Sequence, residues 1–219
     1  MGDEDHVGAA RAVYDATADR YVELIGTELT GATEGPIDRA LLLAFVELVT
    51  AGTPARVADL GCGPGRVAAH LARHGLAVVG VDVSRAMLTR ARAAHPGVAF
   101  GEGRLDALPI AAASLAGAVC WYSIIHTPPA ALDPVFAELA RVLEAGGHLL
   151  LAFQEGAGDP VRRPDAFGTG RALTSHRHGV EDVTRRLRTA GFDVHATARR
   201  AAELAHESTP QAFVFARLP

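Results

Sequence analysis

One glycine-rich segment, Asp59-Leu60-Gly61-Cys62-Gly63-Pro64-Gly65, constrains the fold of this chain more than any other part of its sequence. A short apolar run before it predicts a buried strand, and an amphipathic run after it predicts a helix. Glycines at such a turn permit positive φ angles and let ligand atoms approach the backbone. Because ligands of open α/β sheets bind at the carboxyl ends of the strands, this segment predicts a binding loop.

The spacing of the glycines narrows the kind of ligand. A dinucleotide-binding loop has the pattern G-x-G-x-x-G, and Arg66 occupies the place of its third glycine. Asp82 ends the next apolar strand, where a carboxylate can accept hydrogen bonds from both hydroxyls of a ribose. The pattern therefore favours a nucleoside over a pyrophosphate. The alternative interpretation is a tight turn without a ligand, in which Asp82 only caps the following helix.

Apolar strands and amphipathic helices alternate between residues 56 and 153. Strands are predicted at 57–60, 77–81, 98–100, 115–121 and 148–153. Such alternation is typical of a mainly parallel sheet with helices on both faces. Two later runs, 192–198 and 212–216, predict an antiparallel pair that closes the sheet. Residues 1–35 predict a helical lead-in, whereas residues 154–178 have no clear periodicity.

Composition and charge exclude several classes of function. The hydrophobic fraction of 49% excludes a disordered chain, and the absence of lysine excludes Schiff-base chemistry. A formal net charge of −4 argues against nonspecific binding to nucleic acid. The two cysteines, Cys62 and Cys120, are too few for a disulfide framework. With neither a signal peptide nor a long apolar run in the sequence, we expect a cytoplasmic protein that does not enter the membrane.

Three runs of sequence, VADLGCGPGRVAAHLA, VVGVDVSRAMLTRAR and LARVLEAGGHLLLAF, resemble the class I S-adenosylmethionine-dependent methyltransferases. The resemblance extends from Val57 to Phe153. It implies a Rossmann-like three-layer α/β/α sandwich, with a seven-stranded, mostly parallel sheet that has one antiparallel strand. It also implies a single domain over 1–219, with a helical lid at 1–35 and a cap over the acceptor at 154–178.

The same resemblance implies S-adenosylmethionine as cofactor and S-adenosylhomocysteine as product. The residues expected to hold the cofactor are Tyr14, Tyr21, Asp59, Gly61, Cys62, Gly63, Gly65, Asp82, Val83, Met87, Gly103, Arg104, Leu105, Cys120 and Tyr122. Arg104 is a departure, because relatives usually have an aspartate there to bind the adenine amino group. Glu102 and Asp106 are the alternatives for that contact.

The acceptor side of the site is expected in the segment that follows the fourth strand. His126 is the candidate general base, since imidazole titrates near neutrality; the alternative is a hydrogen bond to the backbone or a helix cap. Trp121, His176 and His178 are further candidates for contact with the acceptor, and no metal site is expected.

The expected reaction is in-line methyl transfer to a small-molecule acceptor whose identity the sequence leaves open. No nucleic-acid partner is expected, and the oligomeric state also stays open. Two alternatives have weaker support: a non-catalytic domain that binds the nucleoside or acts as a scaffold, and a nicotinamide-dependent oxidoreductase.

Overall fold

The computed structural model of the protein describes residues 5–50 and 55–219. The first four residues of the expected helical lead-in therefore lie outside the described part. The described residues form six α-helices: α1 His6–Ile25, α2 Pro36–Thr50, α3 Arg66–Arg73, α4 Arg85–Ala94, α5 Leu132–Val142 and α6 Val180–Thr189. The same residues form nine strands: β1 Arg56–Leu60, β2 Ala77–Asp82, β3 Ala99–Glu102, β4 Leu115–Trp121, β5 Leu143–Gln154, β6 Pro160–Arg163, β7 Leu173–His176, β8 Asp193–Arg200 and β9 Gln211–Arg217.

Seven of these strands form one sheet in the order β3-β2-β1-β4-β5-β9-β8. The five strands from β3 to β5 in this order are parallel, and β9 runs antiparallel to both β5 and β8. The order reverses between β1 and β4, where their carboxyl ends leave a crevice for a ligand. The predicted fold, including its single antiparallel strand, is confirmed.

Helices cover both faces of this sheet. Successive side chains of each strand point to opposite faces, so each central strand packs against helices on both sides. On β4, Ala118 and Cys120 pack with α5 and α6, whereas Val119 and Trp121 pack with α2 and α3. Both faces of the central strands are therefore buried, which explains why their sequences are apolar without alternation. In the described part of the chain, no helix has the length and apolar character needed to cross a membrane.

The structure differs from the sequence prediction in two places. Residues 154–178, expected to be irregular, contain a small antiparallel hairpin of β6 and β7, separate from the main sheet. The sequence predicts a helix that begins near Pro36 and buries an apolar stripe of Ile37, Leu41, Ala44, Phe45 and Leu48. Helix α2 begins at Pro36 and buries Phe45, but it also buries Leu42, Val46 and Val49, while Ile37 and Leu48 are exposed. The helix is apolar on nearly all sides, so periodicity alone could not choose the face that packs on the sheet.

Helix α1 crosses the carboxyl end of the sheet and links the main sheet to the β6–β7 hairpin. Asp15 of α1 accepts hydrogen bonds from Ser84 Oγ at 2.7 Å and from the Ala86 backbone N–H at 3.1 Å, both at the start of α4. A carboxylate at a helix N-terminus is stabilised by the free N–H groups there. On its other side, α1 packs Ala10 and Val13 against Leu173 of the hairpin.

Candidate functional site

The glycine-rich loop turns sharply between β1 and α3. Gly61, Gly63 and Gly65 have φ angles of 76°, 53° and 86°, a region that favours glycine. A Cβ atom on Gly61 would lie 2.2 Å from Cβ of Ser123, so the loop packs tightly against the segment after β4. A Cβ atom on Gly63 would meet nothing within 4 Å, because this residue faces open space. That space is the cavity at the carboxyl ends of β1, β2 and β4.

Asp82, at the end of β2, is oriented by two backbone donors. Its Oδ2 accepts the N–H of Gly63 and its Oδ1 accepts the N–H of Ser84, both at 2.8 Å. Burial raises the pKa of Asp82, and these two N–H groups act in the opposite direction. A carboxylate oxygen has two lone pairs, so each oxygen can accept one further hydrogen bond from a ligand in the cavity.

Asp59 connects the glycine-rich loop to helix α3. It is almost fully buried, and its Oδ2 accepts the N–H of Ala68 in the first turn of α3 at 2.9 Å. Burial, with a smaller contribution from the charge of Asp82, raises the pKa of Asp59 to about 7, although the Ala68 N–H and Arg66 lower it. Its contacts are those of a residue that fixes the position of the loop relative to α3.

Most of the residues expected to form the site line one cavity. From the expected set these are Tyr14, Tyr21, Gly61, Gly63, Asp82, Val83, Met87, Gly103, Arg104, Leu105, Trp121, Tyr122 and His126. Residues from α1, the glycine loop, β2, the 103–106 segment and the segment after β4 thus come together. This cavity is also lined by Arg66, Ser123 and Thr127, which were not among the expected site residues.

Six expected residues lie outside the cavity lining, namely Asp59, Cys62, Gly65, Cys120, His176 and His178. A Cβ on Gly65 would approach Phe100 and His95, so this glycine serves the turn. Burial raises the pKa of Cys120 to about 12, which leaves its thiol unreactive. His178 is buried and its Nε2 bonds the carbonyl of Ile124 at 3.1 Å. Its contacts with protein position the segment that carries His126.

Arg104 does not leave an unpaired charge where relatives usually have aspartate. Its guanidinium donates to both carboxylate oxygens of Asp106, at 2.9 and 2.8 Å. Glu102 is engaged by Arg85 at 2.6 Å and by Arg11 at 3.1 Å, away from the cavity lining. Between the two alternatives for the adenine amino group, the structure therefore brings Asp106 to the cavity.

His126 and Tyr14 form a hydrogen-bonded pair across 112 residues of sequence, with the Tyr14 hydroxyl 2.8 Å from His126 Nε2. Nδ1 of His126 lies 3.1 Å from the carbonyl of Thr174, so Nδ1 carries the proton and Nε2 accepts from Tyr14. Burial, together with the charges of Arg163 and His176, lowers the pKa of His126 to about 4. Burial raises the pKa of Tyr14 well above its usual range. Both groups are therefore neutral at physiological pH.

Arg66 contributes a buried positive charge to the lining of the cavity. Its Nη1 lies 2.6 Å from Oε1 of Glu34, and both side chains are largely shielded from solvent. Burial lowers the pKa of Arg66, but the charge and hydrogen bond of Glu34 help to raise it overall. Because Arg66 directly follows the last glycine of the loop, its position in the sequence could have indicated that it lies at the site. Its orientation depends on Glu34, which precedes α2 and is distant in sequence.

Residues 57–147 match the sequence profile of a family described as "Methyltransferase domain". Malonyl-(acyl-carrier protein) O-methyltransferase of Enterobacter lignolyticus is 30% identical over 131 residues, which cover 60% of this chain and 50% of that protein. Trans-aconitate 2-methyltransferase of Methylobacterium nodulans is 39% identical over 127 residues, covering 56% of this chain and 46% of that protein. The chain thus spans about half the length of these curated relatives.

Solved structures with the same fold cover nearly the whole chain. Magnesium protoporphyrin IX methyltransferase from Synechocystis with bound SAM has a TM-score of 0.72 at 19% identity and covers 100% of both chains. The (4+2)-cyclase SpnF has a TM-score of 0.73 at 19% identity and covers 96% of both chains. At such identities the likeness establishes the fold alone, and a protein named as a cyclase shares it.

Proposed function

We propose that this chain transfers a methyl group to a small-molecule acceptor. The premise is that, through residues 57–147, it belongs to the class I S-adenosylmethionine-dependent methyltransferases. S-adenosylmethionine would supply an electrophilic methyl group on a sulfonium. The protein's part in such a reaction is to bind both reactants, align them and exclude water, and orientation alone can lower the barrier by roughly 7–11 kcal/mol.

The observation that carries this proposal is the arrangement of Asp82 and Gly63. The Gly63 N–H fixes the carboxylate of Asp82 at 2.8 Å, while the absent side chain of Gly63 leaves the cavity open beside it. The two carboxylate oxygens keep lone pairs for the two hydroxyls of a ribose. Val83, Met87 and the 103–106 backbone line the adjoining part of the cavity, where an apolar base fits.

Arg66 and Tyr21 fit the amino-acid end of the cofactor. Both line the cavity, and Arg66, which directly follows the glycine loop, carries the positive charge that a free carboxylate requires.

Tyr14 and His126 lie on the acceptor side in this proposal. As a general base, His126 would need Tyr14 to release Nε2, which the docking of α1 controls. A base with a pKa of about 4 is unprotonated at neutral pH and becomes protonated as the pH falls toward 4. If His126 is the base, activity falls below about pH 5 as this pKa is approached, and the His126→Gln variant lacks this fall.

Isothermal titration calorimetry with S-adenosylhomocysteine and, separately, NADH tests the proposal. We expect binding of S-adenosylhomocysteine alone, followed by transfer of labelled methyl from S-adenosylmethionine into a small-molecule extract of cells. Binding of NADH alone would identify an oxidoreductase. Binding of S-adenosylhomocysteine without transfer to any pool of metabolites would favour the non-catalytic domain, and failure of both ligands to bind would contradict the proposal.

A further inference from the structure

The hydroxyl of Tyr14 occupies the nitrogen of His126 that would otherwise serve as a base. Both residues line the cavity, and the hydroxyl lies 2.8 Å from Nε2 of His126. Because Nδ1 of His126 donates to the Thr174 carbonyl, Nε2 is an acceptor and Tyr14 is its donor. A tyrosine hydroxyl has one hydrogen and two lone pairs, so Tyr14 has only lone pairs left for a ligand. Among residues 5–50 and 55–219, no other partner of this hydroxyl lies within hydrogen-bond distance.

Helix α1 holds Tyr14 in this position through both of its neighbours in the chain. Asp15 accepts a hydrogen bond from Ser84 Oγ at 2.7 Å, which anchors α1 to the start of α4. Val13 is buried against Leu173, which anchors α1 to the hairpin on its other side. Release of the imidazole nitrogen would require α1 to leave both anchors. A proton can instead pass through the hydroxyl while α1 stays docked.

Neither residue is an effective base by itself. Burial raises the pKa of Tyr14 well above its usual range, so the tyrosinate does not form at physiological pH. The imidazole of His126 is neutral, but the Tyr14 hydroxyl covers its free lone pair. Because Tyr14 donates to His126 and can accept from a ligand, the two residues together offer the cavity one proton acceptor.

We propose that Tyr14 is a catalytic residue that takes a proton from the methyl acceptor and passes its own proton to Nε2 of His126, an inference that rests on the proposed function. The acceptor is then an uncharged group with a hydrogen on the atom that becomes methylated. As this atom bonds to the methyl carbon, the C–S bond breaks and its electron pair goes to sulfur. The proton of the acceptor moves to Oη of Tyr14 while the proton of Tyr14 moves to His126.

This relay conserves atoms and charge. Its products are a neutral thioether, the methylated acceptor, an unchanged tyrosine and an imidazolium, so the positive charge of the sulfonium ends on His126. Burial lowers the pKa of His126 to about 4, and the imidazolium therefore returns its proton to water at neutral pH. The pair is then ready for a second transfer without any movement of α1.

The Tyr14→Phe variant separates this relay from direct action of His126, because the two predict different changes in rate. Phenylalanine keeps the ring and its packing but lacks the hydroxyl. If Tyr14 relays the proton, transfer of labelled methyl from S-adenosylmethionine into a small-molecule extract of cells should fall about 100-fold. If His126 acts directly, loss of the hydroxyl frees Nε2, and the rate should stay the same or rise. An equal or higher rate in Tyr14→Phe therefore overturns the assignment.

The Thr17→Val variant is the matched control. It also removes a buried hydroxyl from α1, but Thr17 does not line the cavity, so the rate should equal that of the wild type. Calorimetry should show the same affinity for S-adenosylhomocysteine in the wild type and in both variants. Weaker binding by Tyr14→Phe would assign Tyr14 to the cofactor and overturn the relay.

Combining Tyr14→Phe with His126→Gln tests whether the two residues serve one step. Residues that act as a unit have non-additive effects, so the double variant should be no slower than the slower single variant. Losses that multiply in the double variant contradict the relay.

Nitrogen NMR of protein with isotope-labelled histidine tests the hydrogen bonds without any ligand. The signals of His126, identified by their loss in His126→Gln, should show the proton on Nδ1. The Nε2 resonance should shift downfield in Tyr14→Phe, which removes its donor. A proton on Nε2 in the wild type overturns the relay and leaves the proposed function intact. Wild-type protein that binds S-adenosylhomocysteine but transfers no methyl group contradicts the proposed function, and the relay with it.

Discussion

Substitution of Asp82 by asparagine tests the geometry at the centre of the site. In the wild type, each carboxylate oxygen accepts one backbone N–H at 2.8 Å and keeps a lone pair for one ribose hydroxyl. Asparagine keeps one acceptor oxygen and places an NH₂ group against the other backbone donor. The ligand then loses at least one charge-assisted hydrogen bond, worth roughly 1.5–3 kcal/mol, so we expect affinity for S-adenosylhomocysteine to fall about 10- to 150-fold.

The same substitution leaves one buried N–H, of Gly63 or Ser84, without an acceptor. Thermal unfolding should therefore show a loss of roughly 1–3 kcal/mol in the free energy of unfolding. To separate weaker binding from altered folding, calorimetry is repeated with an S-adenosylhomocysteine analogue that lacks both ribose hydroxyls. Because this analogue makes no bonds to Asp82, the wild type and Asp82→Asn should bind it equally.

Asp133→Asn is the matched control, since Asp133 is an exposed carboxylate on α5 that pairs with Arg186 and does not line the cavity. It should leave both affinities unchanged. The reasoning is refuted if folded Asp82→Asn binds S-adenosylhomocysteine as tightly as the wild type does. It is refuted equally if the analogue and the natural product lose the same affinity, because the ribose would then make no contribution at this residue.

Three further predictions concern the loop and the core. Gly63→Ala and Gly75→Ala both place a Cβ in open space at positive φ, so each should cost about 1–2 kcal/mol by urea denaturation, but calorimetry should show lost S-adenosylhomocysteine binding in Gly63→Ala alone. The pKa of Asp59 is raised to about 7 in the folded state, so Asp59 contributes fully to the free energy of unfolding below pH 4 and loses this contribution as the pH rises through 7. Asp59→Asn should make the free energy of unfolding less dependent on pH in this range. An unchanged slope of unfolding free energy against pH would contradict the raised pKa. Arg200→Met leaves the carboxylates of Asp38 and Glu207 buried without their cation and should lower the free energy of unfolding by roughly 3–5 kcal/mol. Arg199→Met removes an exposed partner of Glu155 and should have little effect; equal losses of the two variants in urea would argue against a special role for the buried cluster.

The sequence by itself determined the sheet and the part of the cavity that the glycine loop and Asp82 form. Strand β1, the three glycines and the start of α3 lie within one continuous segment, and Asp82 ends the very next strand. Local backbone requirements and the periodicity of buried side chains dictate such features, because neighbours in sequence are also neighbours in space. The antiparallel position of β9 was readable for the same reason, since no helix separates it from β8.

Only the tertiary structure decided how Tyr14, His126 and the β6–β7 hairpin come together. Tyr14 meets His126 across 112 residues, and the Thr174 carbonyl that sets the tautomer comes from a hairpin with no clear pattern in its sequence. That hairpin exposes much of its surface and packs mainly through Leu173, so burial imposes little periodicity on it. Which side chains of the hairpin face α1 depends on the register of β6 against β7, which no local propensity encodes.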